Sequence, residues 1–133
     1  MFTIGISKGF SAWHHLGAGG ACGSDRPHRH RYRIAVRLEG DTLNGDGFLA
    51  DVRDVEKILG EVLSPYRDRN LNDFPEFLGT PTMEALARFF CRELLRLIPA
   101  PGIQCITVEV RENPSVWSSY TEERIADRTS DLR

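Results

Sequence analysis

The chain has 133 residues, 41% of them apolar, and a formal net charge of −2. That length makes one domain with a real core, and near-neutral charge gives no global drive toward nucleic acid. No run of 18 apolar residues is available to cross a bilayer, and the alternating stretch Met1–Lys8 lacks the apolar core of a signal peptide.

Residues 2–12 alternate, with Phe2, Ile4, Ile6 and Phe10 on one face. This predicts a first strand, and His14 continues its even-numbered face. Residues 16–27, with four glycines, Pro27 and Cys22, read as a loop. Tyr32, Ile34, Val36 and Leu38 predict a second strand over 28–39. Asn44-Gly45-Asp46-Gly47 is turn chemistry. Asp51 can cap a helix carrying Val55, Ile58, Leu59 and Leu63, which Pro65 closes. Residues 64–81 read as a loop. Thr80-Pro81-Thr82 predicts the start of a second helix, with the proline in its first turn. Met83, Ala87, Phe90, Leu94, Leu97 and Ile98 give that helix its core stripe before Pro99 and Pro101 end it. Ile106, Val108 and Val110 alternate over 103–112, with Glu112 in phase, and Val116–Tyr120 is a last strand. The order ββααββ predicts an α+β fold: a four-stranded antiparallel sheet with two helices on one face. Its sheet edges have no evident protection, and closing several such sheets into a shared barrel removes them.

All four histidines, His14, His15, His28 and His30, lie in the first thirty residues. His28 and His30 are two apart on a strand and share a face. With His14 they offer three nitrogens to a divalent metal, the ligand count of a catalytic zinc site with one open position. Cys22 lies six residues before the pair. Arg26, Arg29, Arg31 and Arg33 allow a plainer reading, a solvated or phosphate-binding strand, although Arg29 and Arg31 fall on the face opposite the histidines. The three cysteines, Cys22, Cys91 and Cys105, have no framework spacing. Cys91 and Cys105 sit in helical and strand patterns as small hydrophobes, which points to a reducing, cytoplasmic compartment.

Six motifs stand in order over residues 2–121: Phe10-Ser-Ala-Trp-His14, Cys22 with His28-Arg-His30, Gly47-Phe-Leu-Ala-Asp51, Leu71-Asn72-Asp73, Pro81-Thr82-Met83-Glu84, and Val110-Arg-Glu112. In order and spacing the sequence resembles the 6-pyruvoyl-tetrahydropterin synthase and 6-carboxytetrahydropterin synthase family of tunnelling (T-fold) proteins. The resemblance implies a T-fold domain over 1–121 with a polar tail over 122–133, and a homo-oligomer, a hexamer of two stacked trimers closing a barrel. It implies that His14, His28 and His30 bind zinc and that Cys22 is the proton-abstracting thiol. Glu112 would anchor a pterin, its carboxylate accepting from the planar donor pair of the pterin edge. Without the resemblance, Glu112 reads as a solvent-facing strand carboxylate. Thr82 matches a position that helps to bind the pterin of a neighbouring subunit, and reads equally as a helix N-cap. Met83 stands where the family often has a second hydroxyl.

The departures are as informative. The family carries an Asp-His pair shortly before its Leu-Asn element. Aligned on Leu71-Asn72 without gaps, the pair becomes Arg67-Asp68; with a one-residue slip it becomes Asp68-Arg69. Arginine cannot act as a proton-transfer base near neutral pH. Arg29 also replaces the usual glycine between the metal histidines. The leading expectation is a divergent family member that binds a pterin-like small molecule, with standard synthase turnover lost or altered. The alternatives are a 6-carboxytetrahydropterin synthase-type lyase acting on 7,8-dihydroneopterin triphosphate, with Asp68 as base, and a non-catalytic pterin- or purine-binding protein. Arg67 and Arg69 are either anion contacts or solvated loop charges. Neither nucleic acid nor membrane is an expected partner.

Overall fold

Alternation in the first forty residues becomes two long strands in the computed structural model, which describes residues 1–17 and 26–124. β1 (Phe2–His14) and β2 (His28–Gly40) pair antiparallel without a break, from Phe2 opposite Gly40 to His14 opposite His28. β3 (Cys105–Asn113) and β4 (Val116–Glu123) complete a sheet of order β1-β2-β3-β4. Between the two hairpins run α1 (Val52–Leu63) and α2 (Met83–Leu97). This is the expected ββααββ arrangement.

The core lies between the helices and the even-numbered face of the sheet. Tyr32, Ile34, Val36 and Leu38 of β2 and Ile106, Val108 and Val110 of β3 are buried there. Val55, Leu59 and Leu63 of α1 and Leu86, Phe90 and Leu94 of α2 cover them. The Asp51 carboxylate caps α1, accepting from the Arg53 N–H at 2.9 Å.

Four details differ from the sequence expectation. α2 starts at Met83 with Thr82 as its N-cap, so Pro81 precedes the helix and is not part of its first turn. Leu97, assigned to the core stripe, is exposed at the end of α2, while Leu86 is fully buried. β4 runs to Glu123, because the ladder continues through Thr107–Thr121 and Cys105–Glu123 pairs even where the side chains are polar. The connection over 64–81 contains three short 3₁₀ turns, Ser64–Tyr66, Leu71–Asp73 and Pro75–Phe77. It buries Tyr66, Leu71 and Phe77, and the rings of Tyr66 and Phe77 pack on Phe90.

That connection also lies along β1. The Asp68 N–H donates to the Ser11 carbonyl at 2.7 Å, and the Trp13 N–H donates to the Arg69 carbonyl at 2.8 Å. The end of β1 that carries His14 is therefore held on both sides, by β2 and by residues 68–70.

Candidate metal and ligand site

The β1–β2 register brings the predicted histidines together. His14 faces His28 across the ladder, and His30 is opposite Ala12. Their three ring centroids are 4.6–4.8 Å apart. One nitrogen from each ring lies within 4.8 Å of the others, and among the described residues no other group of three such ligands forms. His14 is buried, and His28 and His30 are half-buried.

Hydrogen bonds fix which nitrogen faces the cluster. His14 Nδ1 is 3.0 Å from the Pro81 carbonyl, and His28 Nδ1 is 3.1 Å from the Arg26 carbonyl. A carbonyl only accepts, so each Nδ1 carries the proton and each neutral ring leaves Nε2 bare. These two bare nitrogens face each other at 3.0 Å. Two lone pairs with no proton between them repel, and a cation removes that repulsion. Zinc–nitrogen bonds of about 2.0–2.1 Å at a tetrahedral angle place two nitrogens about 3.3 Å apart, close to the observed spacing. The residues present fit zinc. The two carbonyls do what outer partners of metal histidines do elsewhere, fixing tautomer and ring orientation.

Burial lowers the pKa of His14, against the Pro81 carbonyl, which raises it. Burial likewise lowers that of His30, with Glu112 opposing. Both effects favour the neutral imidazole that metal binding needs. The Tyr32 hydroxyl lies 3.2 Å from His14 Nδ1, and burial holds this phenol un-ionised.

Glu112 stands beside the cluster. Its carboxylate is 3.9 Å from His30 Nε2 and only partly exposed. The β3–β4 register shifts at this point, between Arg111 and Asn113. Thr82 accepts from the Ala85 N–H at 3.1 Å as the cap of α2, and so anchors the chain next to the Pro81 carbonyl that orients His14. Asn72, from the Leu-Asn-Asp motif, grips the backbone just past His14. It accepts from the His15 N–H and donates to the His15 carbonyl, each at 2.9 Å.

Asp68 and Arg69 do not join the histidines. The exposed Asp68 carboxylate pairs with Arg29 at 3.2 Å, on the side of the sheet away from the helices. Arg69 is exposed and contributes its carbonyl to β1. Cys22 lies outside the described residues.

Residues 3–123 match the family model for 6-pyruvoyl tetrahydropterin synthase. The chain belongs to that family. A protein of Archaeoglobus fulgidus named, provisionally, 6-carboxy-5,6,7,8-tetrahydropterin synthase is 29% identical over 86% of this chain and 91% of its own. The Bacillus subtilis 6-carboxy-5,6,7,8-tetrahydropterin synthase is 25% identical, over 92% of this chain and 87% of its own. The fold matches the Caenorhabditis elegans 6-pyruvoyl tetrahydropterin synthase with a TM-score of 0.76 and 24% identity, covering 91% of this chain and 95% of the other. It matches a Plasmodium vivax 6-pyruvoyltetrahydropterin synthase mutant with a TM-score of 0.77 and 16% identity, covering 92% and 98%. The four-stranded sheet with two helices is the T-fold of this family.

Within that fold, sequence reasoning missed Tyr32 and the carbonyls of Pro81 and Arg26. Tyr32 had a signal, two residues beyond His30 on the same strand face. The carbonyls had none, because every residue type supplies one.

Proposed function

We propose that this family member binds a pterin-like small molecule at Glu112, beside zinc held by His14, His28 and His30. The bare Nε2 pair at 3.0 Å carries this reading, with the Glu112 carboxylate next to it. These three histidines would hold the zinc, which would supply Lewis acidity toward oxygens of the substrate side chain. Glu112 accepts two parallel hydrogen bonds from the pterin edge and fixes its orientation. Pro81, Arg26 and Tyr32 hold the imidazoles in place. Cys22 takes the proton from the substrate side chain.

The missing piece is the group that relays this proton. No histidine follows His30, and Asp68 and Arg69 are placed away from the cluster within the protomer. This supports a divergent member in which turnover of 7,8-dihydroneopterin triphosphate is lost or altered. The names of the archaeal and Bacillus relatives favour a second reading, a 6-carboxytetrahydropterin synthase-type lyase. In that reading Asp68 serves as base only after leaving Arg29. Incubation with 7,8-dihydroneopterin triphosphate, with products separated by chromatography, beside pterin titration calorimetry, separates the readings. Pterin binding with weak or no turnover supports the first, 6-carboxytetrahydropterin formation the second, and absence of pterin binding overturns both.

The assembly belongs to the same proposal. Among the described residues no strand pairs with the outer edge of β1 before Ser11 or with that of β4, and Phe2, Val116 and Trp117 are exposed on these strands. Such edges pair with further strands, and a hexamer closing a barrel satisfies them. Light scattering at micromolar concentration tests this, and a monomer overturns it.

A further inference from the structure

The strand edge beside His14 is completed by a side chain. On the outer edge of β1, the Ser11 carbonyl accepts from the Asp68 N–H at 2.7 Å, and the Trp13 N–H donates to the Arg69 carbonyl at 2.8 Å. At His15 the partner is instead the side-chain amide of Asn72. Its Oδ1 accepts from the His15 N–H and its Nδ2 donates to the His15 carbonyl, each at 2.9 Å. A carboxamide carries the same donor and acceptor as a peptide group. Asn72 thus stands in for one more strand residue and carries the edge a step past His14. His14 opposite His28 is the last β1–β2 pair, so beyond it the sheet no longer holds the chain.

Asn72 is itself fixed. Asn70 accepts from the Asn72 N–H at 3.0 Å, capping the 3₁₀ turn Leu71–Asp73, and Leu71 is fully buried. The core therefore sets the turn, and the amide passes that position to the backbone at His15. The half-buried Asn72 amide has little other use: its further contact, with the Gly79 carbonyl, is a long 3.5 Å. Further along the same connection, the Pro81 carbonyl receives His14 Nδ1 at 3.0 Å. One segment thus holds His14 twice. Pro81 sets which way the ring points, and Asn72 sets where the backbone beneath it lies.

We propose that Asn72 is a positioning residue of the metal centre. Its two-point grip on His15 places His14 Nε2 relative to His28 and His30, and so sets how tightly and in what geometry the three histidines hold zinc. This rests on the zinc reading and adds to it a residue that touches neither metal nor substrate. Ligands serve one ion together only when each is held to within about 0.5 Å. Losing a partner that orients a metal histidine typically costs about 10–100-fold in metal affinity.

The test measures zinc affinity of the full chain, by competition with a chromophoric chelator, and the visible absorption of the cobalt-substituted protein. Asn72→Ala removes both bonds. Asn72→Asp, nearly isosteric, keeps the acceptor for the His15 N–H but sets an oxygen against the His15 carbonyl, and it carries the measurement if Asn72→Ala folds poorly. Both should bind zinc at least about tenfold more weakly than the wild type, with an altered cobalt spectrum. Asn44→Ala is the control for stability alone. Asn44 also ties backbone N–H groups, those of Asp46 and Phe48 at 2.9 and 3.0 Å, in the turn that follows β2. Its loss should lower the unfolding midpoint and leave zinc affinity unchanged. Full zinc affinity with an unchanged cobalt spectrum in the Asn72 variants, or an equal loss in Asn44→Ala, would overturn the inference and leave the zinc site standing. A wild type that takes up no zinc overturns the zinc reading, and this inference with it.

Discussion

His14 and His28 point their bare Nε2 atoms at each other across the last rung of the β1–β2 ladder, 3.0 Å apart. With both Nδ1–H groups donated to backbone carbonyls, a cation between the two nitrogens would remove their repulsion. Zinc is expected to bind at one equivalent per chain, measured by elemental analysis after dialysis. Because it binds the folded state, free zinc at 100 times Kd should stabilise the protein by about 2.7 kcal/mol. His28→Ala should lose both the metal and the stabilisation. A wild-type protein still metal-free after preparation with zinc would remove the site.

The Glu112 carboxylate is partly exposed near the end of β3 and is not one of the buried core residues. Glu112→Ala should therefore leave the fold intact while removing a charge-assisted contact of about 1.5–3 kcal/mol. That corresponds to pterin affinity lower by about 10- to 150-fold. Fluorescence titration with a pterin checks it, and unchanged affinity means that the anchor lies elsewhere.

Much of this was legible because strand alternation is rigid. Once Phe10 and Tyr32 are inside, His14, His28 and His30 must share their face, and the cluster of three imidazoles follows. The fold order was readable for the same reason. The 64–81 connection was not: its 3₁₀ turns have no helical period, so Tyr66, Leu71 and Phe77 gave no sign of being core. β4 past Tyr120 was hidden because its solvent-facing side carries polar residues. The orienting carbonyls of Pro81 and Arg26 were invisible because a carbonyl leaves no mark in the sequence.

The Cys91 thiol is fully buried and donates to the Ile106 carbonyl at 3.3 Å. Burial, the largest cause, pushes its pKa up to about 11 from 9.0. A shift of this size lowers the thiolate fraction about a hundredfold near neutral pH. Native Cys91 should resist iodoacetamide at pH 8, read by mass spectrometry, and react on unfolding. The sign for stability follows: between pH 9 and 11 the folded state keeps a proton that the unfolded state has lost. Cys91 therefore contributes stability that is fully present below pH 9 and is lost as pH rises through 11, on the order of 2 kcal/mol. Cys91→Ala should flatten denaturant midpoints over that window; an unchanged slope would remove Cys91 as its source.

The family pairs its thiol with a histidine just before the Leu-Asn element, and here the chain offers Asp68 and Arg69. An unassisted cysteine has a pKa near about 8.5, so a minor fraction is thiolate at neutral pH. Zinc or a nearby arginine can lower that value, but neither can receive the proton and return it. General acid–base help is worth about 10²–10⁴-fold, so conversion of 7,8-dihydroneopterin triphosphate should be absent or at least about 10²-fold below that of an ordinary family member. Restoring a histidine is the direct check. Asp68 sits at a left-handed φ of 57°, a conformation in which Asp, Asn and His are all enriched among non-glycine residues. Asp68→His is thus compatible with the backbone, and loses only the exposed pair with Arg29. Arg69→His changes an exposed side chain whose carbonyl already holds Trp13. One of the two should raise turnover, with kcat increasing more than KM changes, because a proton relay acts on the chemical step. Robust conversion by the unmodified protein would sink the idea and leave the plain synthase reading in its place.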